Sequence, residues 1–206
     1  MGTFILILAS AIWGAAHSAL ASHGAKDAAR RALGQGFMRW YRLLYNGFSL
    51  LTFLPLLVLA EVLPDRLLYT IPAPWLYLTL AIQAAAAVGL LLTLAQTGVW
   101  AFAGISQPLR GEDGPGQLIT GGMYRHLRHP LYALGLVILW LAPEMTLNRL
   151  VLITSLSLYL IVGAYFEERK LERDFGSAYV DYKARTPMFV PFLKTRIHDS
   201  HATSHT

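Results

Sequence analysis

The 206-residue sequence has no cysteine, which excludes disulfides, thiolate metal sites and a cysteine nucleophile. Charge is scarce as well. Asp, Glu, Lys and Arg make up 14% of the chain, against about a quarter in soluble domains. No basic stripe lies on a polar face, so no nucleic-acid interface is expected. Nor does any Lys or Arg precede the first apolar run, at residues 3–21. The positive start of a secretory signal is therefore missing, and cleavage is not expected, although Ala19-Leu20-Ala21 resembles a cleavage site.

What the sequence does have is long apolar runs. Hydrophobic residues make up 55% of it and the mean hydropathy is +0.45, a balance suited to a bilayer. Runs at 3–21, 43–62, 75–95 and 148–166 are long enough to cross a hydrocarbon core of about 30 Å. The run at 130–142, ended by Pro143, crosses only if Arg128 and His129 extend their polar ends to the interface. The expected fold is all-α: a polytopic membrane protein with five transmembrane helices and a C-terminal amphipathic helix at 167–185. A single domain covers 1–192, with a cofactor-site half from about 96, and a disordered polar tail follows at 193–206.

The connections set the expected orientation. Residues 22–42 carry Lys26, Arg30, Arg31, Arg39 and Arg42 against Asp27 alone, and read as a short amphipathic helix broken at Gly34 and Gly36. Residues 61–74 read as a plain proline-rich loop, and 96–128 as the longest polar region, with a turn-rich run at 111–116. Because basic loops stay cytoplasmic, the N-terminus is expected outside and the C-terminus inside.

Two polar clusters interrupt the apolar pattern. The first is Tyr124-Arg125-His126-Leu127-Arg128-His129-Pro130-Leu131-Tyr132. Proline suits the first helical turn, and the free N–H groups of that turn favour an anion. Arg125, Arg128 and His129 therefore fit an anionic ligand or a basic anchor at the membrane edge. The second is Glu167-Glu168. Carboxylates at a cytoplasmic helix end oppose both the helix dipole and the positive-inside bias. They call for a cation, either Arg125 or Arg128 across the hairpin or a ligand. His17 is polar within the first span and reads equally as a functional group or an interhelical hydrogen bond. His23 and His126 read as solvated, and Tyr179 and Tyr182 as residues of the lipid interface. His198, His201 and His205 lie in the polar tail, and no metal site is expected.

Together, Tyr124-Arg125-x-x-Arg128-His129-Pro130-x-Tyr132 and Glu167-Glu168-x-x-Leu171-x-x-x-Phe175-Gly176-x-x-Tyr179-x-x-Tyr182 resemble the integral-membrane methyltransferases. That superfamily includes isoprenylcysteine carboxyl methyltransferase and phospholipid N-methyltransferases. His17-Ser18, Phe102-Ala103-Gly104-Ile105 and Pro143-Glu144-Met145-Thr146 extend the resemblance to the methanethiol S-methyltransferases. One departure is Leu134, at a position where relatives often carry glycine.

The resemblance implies S-adenosylmethionine bound from the cytoplasm of a bacterial inner membrane. Tyr124, Arg128, His129, Pro130, Tyr132, Glu167 and Glu168 would be its cofactor residues, with Arg125 and His17 acting on the acceptor. The expected acceptor is a small thiol or a lipophilic molecule, with membrane lipid as the surroundings. Trp100 and Phe102 read as an apolar lid over the acceptor. The other reading is a non-catalytic accessory protein, since related proteins are named for a role in nitrite and nitric oxide reduction.

Overall fold

In lipid every backbone polar group has to be satisfied within the chain, so apolar runs of this length become helices. The computed structural model describes residues 1–110 and 117–191, without the side chains of Ala101, Phe102, Gln107 and Arg110. The expected turn-rich run at 111–116, the tail at 193–206 and the Phe102 side chain fall outside the described residues. The elements are α1 (Gly2–Ala21), α2 (His23–Leu33), α3 (Gln35–Val62), β1 (Leu67–Thr70), α4 (Trp75–Thr97), α5 (Val99–Ala103) and α6 (Ser106–Arg110). A one-turn 3-10 helix (Gly122–Arg125) follows, then α7 (Pro130–Trp140), β2 (Glu144–Thr146), α8 (Leu147–Phe175) and α9 (Ser177–Arg185).

By length and composition, α1, α3, α4 and α8 can cross a membrane. At about 1.5 Å per residue α7 reaches only about half of the hydrocarbon thickness. The side chains on the outside of the long helices fit a lipid solvent: Phe4, Leu51, Leu91 and Val162 are all more than half exposed. Leu6, Leu56, Ala60 and Leu152 form the buried centre where α1, α3 and α8 meet.

Several expectations change at the boundaries. Gly34 alone breaks the 22–42 segment. Its φ of +79° ends α2, while Gly36 lies inside α3, which begins well before residue 43. The amphipathic stretch at 167–185 is not one helix, because Gly176, at φ +56°, separates the end of α8 from α9. Trp140 ends α7, ahead of Pro143. The all-α expectation is corrected by a small antiparallel pair. Leu67 pairs with Thr146, Tyr69 with Met145 and Thr70 with Glu144. Strands this short carry no periodicity that would reveal them in a sequence.

That pairing fixes where α7 ends. Its C-terminal end runs into β2, which is tied to β1 between α3 and α4. Its N-terminal end lies near the C-terminal end of α4, where Met123 N donates to Gln96 Oε1 at 3.3 Å. Between these ties α4 and α7 run antiparallel, and Gln83 Nε2 donates to Ile138 O at 2.8 Å. The glycine missing at Leu134 is supplied by the facing helix. A methyl group added to Gly89 would lie 3.3 Å from Leu134 Cδ1. Small residues allow this close approach in membrane helices.

Candidate functional site

At the end of α8 opposite the strand pair, the two polar clusters of the sequence meet. Arg128 and Glu168 are buried together, with Nε donating to Oε1 at 2.6 Å. Arg128 Nη1 donates to Lys183 O at 3.1 Å and Thr186 O at 2.5 Å. Its backbone N–H donates to Pro187 O at 2.9 Å, and His129 N–H to Met188 O at 3.2 Å. Lys183 Nζ lies 3.2 Å from Glu168 Oε2 and 2.7 Å from Glu172 Oε1. Arg128 thereby ties the start of α7 to the chain that follows α9. Tyr182 adds a bond of its own, donating from its hydroxyl to Tyr124 O at 2.6 Å.

Glu167 points the other way. Its side chain is 45% exposed, and Oε2 accepts from the Tyr132 hydroxyl at 2.9 Å. His129 stacks on Tyr132 with ring centroids 5.4 Å apart, and its Nδ1 lies 3.7 Å from Glu167 Oε2. Pro130, fully buried, opens α7 immediately behind this pair. These side chains border a cavity of about 650 Å³ between α2, the start of α3, the end of α8, and α9. Tyr124, Arg128, His129, Tyr132 and Glu167 line it, while Pro130 and Glu168 stand behind its wall.

Sequence reading missed the basic wall: Lys26 and Arg30 of α2, Arg42 of α3 and Lys170 of α8 also line the cavity. The available signal was spacing. Lys26 and Arg30 are one turn apart, and Glu167, Lys170, Leu171 and Asp174 share one helical face. Tyr179 and Tyr182 were expected at the lipid interface. They are 1% and 8% exposed instead, and they line the cavity. His23, expected to be solvated, is exposed but joins the rim, 3.3 Å from Arg173 Nη2.

Arg125 and His17 are not brought to the cavity. Arg125 is exposed on the 3-10 turn. His17 sits between α1, α3 and α8, stacked on Trp13. Its Nδ1 lies 2.7 Å from Ser49 Oγ, and its Nε2 meets the Tyr45 hydroxyl. Ser49 Oγ donates to Tyr45 O, so Nδ1–H donates to the serine and Nε2 accepts from the tyrosine. Both ring nitrogens are thereby used. Trp100, 68% exposed on α5, does not line the cavity either.

The electrostatics divide the site. Burial, reinforced by the Glu167 carboxylate, pushes the Tyr124 phenol up to about 12. Burial pushes Tyr182 up to about 12 despite Arg128 nearby, and it also raises Tyr179. At neutral pH all three are phenols, and Tyr182 spends its proton on Tyr124 O. Burial lowers Lys26, and so do the charges of Lys170 and Arg42, with Asp174 opposing them. Two buried polar atoms of the wall have no hydrogen-bond partner among the described residues: His129 Nε2 and the Tyr179 hydroxyl. His129 Nε2 does lie 3.4 Å from Glu168 Oε1, but not in hydrogen-bonding geometry. Buried polar groups are rarely left unpaired, and both of these belong to residues that line the cavity.

The NnrU protein family matches residues 5–196, nearly the whole chain. The chain belongs to this family. Part of the chain is also similar to curated enzymes. It is 40% identical over 88 residues to methanethiol S-methyltransferase 2 of Bradyrhizobium diazoefficiens, covering 42% of this chain and 34% of that protein. Identity is 33% over 82 residues to methanethiol S-methyltransferase of Crocosphaera subtropica, or 40% and 32% of the two chains. With the Pseudomonas deceptionensis enzyme of the same name it is 34% over 88 residues, or 43% and 33%. These matches span about a third of the curated relatives' length. No solved structure matches. The chain is thus an NnrU-like, methanethiol S-methyltransferase-like membrane protein.

Proposed function

We propose that this protein is an S-adenosylmethionine-dependent methyltransferase acting on a small thiol at the membrane. The observation that carries the reading is the cavity: it gathers Tyr124, Arg128, His129, Tyr132 and Glu167, and holds two buried polar atoms without partners. Its volume of about 650 Å³ is in the range of pockets that enclose cofactor-sized molecules. The donor set fits as well. Glu167 presents a half-exposed carboxylate to an ammonium group, and Tyr124, His129, Tyr132 and Tyr179 line the wall around it. When bound, S-adenosylmethionine supplies a sulfonium methyl group, to which the acceptor sulfur bonds as the methyl–sulfonium bond breaks.

The chain's own residues position and shield. Arg128, Glu168 and Lys183 hold the wall rigid, so Glu167 and His129 keep their places without a bound group. Phenols that stay protonated near neutral pH do not act as bases. The acceptor thiol loses its proton to water, which is feasible near a pKa of about 8.5. The basic wall of the cavity favours the resulting thiolate. In this reading His17 is an interhelical hydrogen-bonding group, and Arg125 lies outside the reacting centre.

We also propose five crossings, with the N-terminus outside and the cavity facing the cytoplasm of a bacterial inner membrane. Two features support this: the tie between β1 and β2 at one end of α7, and the basic 22–42 segment at the other face. Reporter fusions at Pro72 and Arg110 should fall on opposite sides, and a shared side rejects the topology. The test of function is equilibrium binding of S-adenosylhomocysteine to the detergent-solubilised protein, followed by methyl transfer to methanethiol, longer thiols and phosphatidylethanolamine. Binding with methylation of thiols supports the reading. Methylation of the phospholipid alone rejects the thiol, and no binding at all favours an accessory role.

A further inference from the structure

Lys26 and Lys170, part of the basic wall, also stand close to the carboxylate that the reading above gives to the cofactor. They come from different helices, α2 and α8, yet line one cavity. Both are half-buried, and neither has an ion-pair partner among the described residues. Their surroundings do not resemble a headgroup anchor. Arg30, one turn on from Lys26, is exposed and paired with Asp27 at 3.2 Å. Lys26 instead sits deep enough for burial to lower its pKa, and Lys170 and Arg42 lower it further. Asp174 on the same wall offsets this repulsion only in part, and an anion shared between the two amines removes the rest.

The neighbouring carboxylate says which anion. Glu167 and Lys170 are three residues apart on α8, on adjacent points of one helical face, and do not pair with each other. An acid and a base about 5–6 Å apart match the two charges of an α-amino acid. A phosphate would repel Glu167 and bring it no cation.

We infer that Lys26 and Lys170 hold the α-carboxylate of the bound donor, with its ammonium group on Glu167. This rests on the reading that the cavity takes S-adenosylmethionine. It makes α2 part of the binding site. The basic segment that a sequence reading makes a short amphipathic helix of a cytoplasmic loop would close over the cofactor's amino-acid end.

The test compares S-adenosylhomocysteine with its decarboxylated analogue, by titration calorimetry on the whole chain in phosphatidylcholine nanodiscs. Wild type should prefer the carboxylated ligand by about tenfold or more, the scale of a charged hydrogen bond. Lys26→Gln and Lys170→Gln should each weaken that preference, and the double variant should abolish it. Binding of the decarboxylated analogue should stay within about twofold, a result that a misfolded variant cannot give. A double variant that keeps the full preference overturns the inference and leaves the cofactor site standing. A wild type that binds neither ligand overturns both.

A second arm adds phosphatidylglycerol to the nanodiscs and separates carboxylate from lipid phosphate. The preference should not change. If it is lost in wild type only when the anionic lipid is present, the lysines hold a headgroup and the inference fails.

Discussion

The two ends of α8 use polar side chains in opposite ways. At the N-terminal end Asn148 is fully buried, and its Nδ2 faces the carbonyls of Ala60, Leu63 and Pro64 at 3.3, 3.2 and 3.5 Å. Asp65 Oδ1 accepts from the N–H of Asn148 at 2.9 Å and of Arg66 at 2.7 Å. Thr146 caps the helix by accepting from Arg149 N–H at 3.2 Å. Carbonyls left over at the end of α3 and N–H groups left over at the start of α8 are thus served by each other's side chains. The C-terminal end starts with a similar tie, from Arg128 to Glu168. It then adds the half-exposed Glu167 carboxylate, held only by the Tyr132 hydroxyl and near His129. It also adds the amines of Lys26 and Lys170, without an ion pair, and the Tyr179 phenol, unpaired among the described residues. The N-terminal cluster ties protein to protein and leaves Asn148 Oδ1 unpaired among the described residues, whereas the C-terminal one opens onto a cavity.

The largest expected effect comes from breaking the tie at the C-terminal end. Arg128→Met leaves Glu168 buried with Lys183 as its remaining close cation, and should cost about 3–5 kcal/mol. Thermal unfolding in detergent should show it, and S-adenosylhomocysteine binding should fall as the wall loosens. Adding Glu168→Leu to Arg128→Met should recover much of the stability, because the orphaned charge goes with it. No recovery would mean that Arg128 acts mainly through the carbonyls of Lys183 and Thr186.

Asn148→Ala tests the other end. It strips the C-terminal carbonyls of α3 of a shared donor and should cost about 1–3 kcal/mol of stability. The dissociation constant for S-adenosylhomocysteine should not change. A shift in affinity without a loss of stability would erase the contrast between the ends.

Glu167→Gln should do the reverse. The side chain keeps its size and its bond to Tyr132 but loses its charge, so binding should weaken by about 1–3 kcal/mol. Unfolding of the ligand-free protein should move little, as surface charges usually contribute less than about 1 kcal/mol. Neighbouring glutamates would then differ completely in what they do.

That difference was not legible in the sequence. Glu167 and Glu168 are adjacent identical residues, and about 100° of helical rotation sends one to the cavity and the other under α9. What was legible depended on backbone constraint. Pro130 marks the start of α7 because proline fits the first turn, and the long apolar runs leave the bilayer as their only solvent. Lys26 counts in the sequence only as one of the basic residues that set orientation, because an amphipathic helix does not say what covers its polar face. Tyr179 and Tyr182 were read as interfacial because tyrosine suits lipid headgroups and buried hydrogen-bonding sites equally. The strand pair could not be found locally, since β1 and β2 have little meaning except beside each other.

The smallest expected effect separates the two ends by pH. At the N-terminal end burial alone would raise the Asp65 carboxyl, but bonds from the Thr146 hydroxyl and the N–H groups of Asn148, Arg66 and Leu147 hold it below its usual value. Its contribution is present above the unfolded value of about 3.9 and is lost as pH falls through the lower folded value. At the C-terminal end the bond to Glu172 raises the Lys183 amine, opposed by burial and reinforced by Glu168. That contribution is complete below the unfolded value of about 10.4 and is lost as pH rises through the higher folded value. Both are whole at neutral pH, so stability between these limits should not depend on either residue's titration. Unfolding of Asp65→Asn should show a shallower acid limb and an unchanged alkaline one. Lys183→Met should make the alkaline limb shallower and should also weaken the acid limb, because its amine helps hold the buried Glu168 carboxyl down. An alkaline limb altered by Asp65→Asn would mean that the two ends of α8 are coupled through the helix, and the cavity end could not be treated as a separate device.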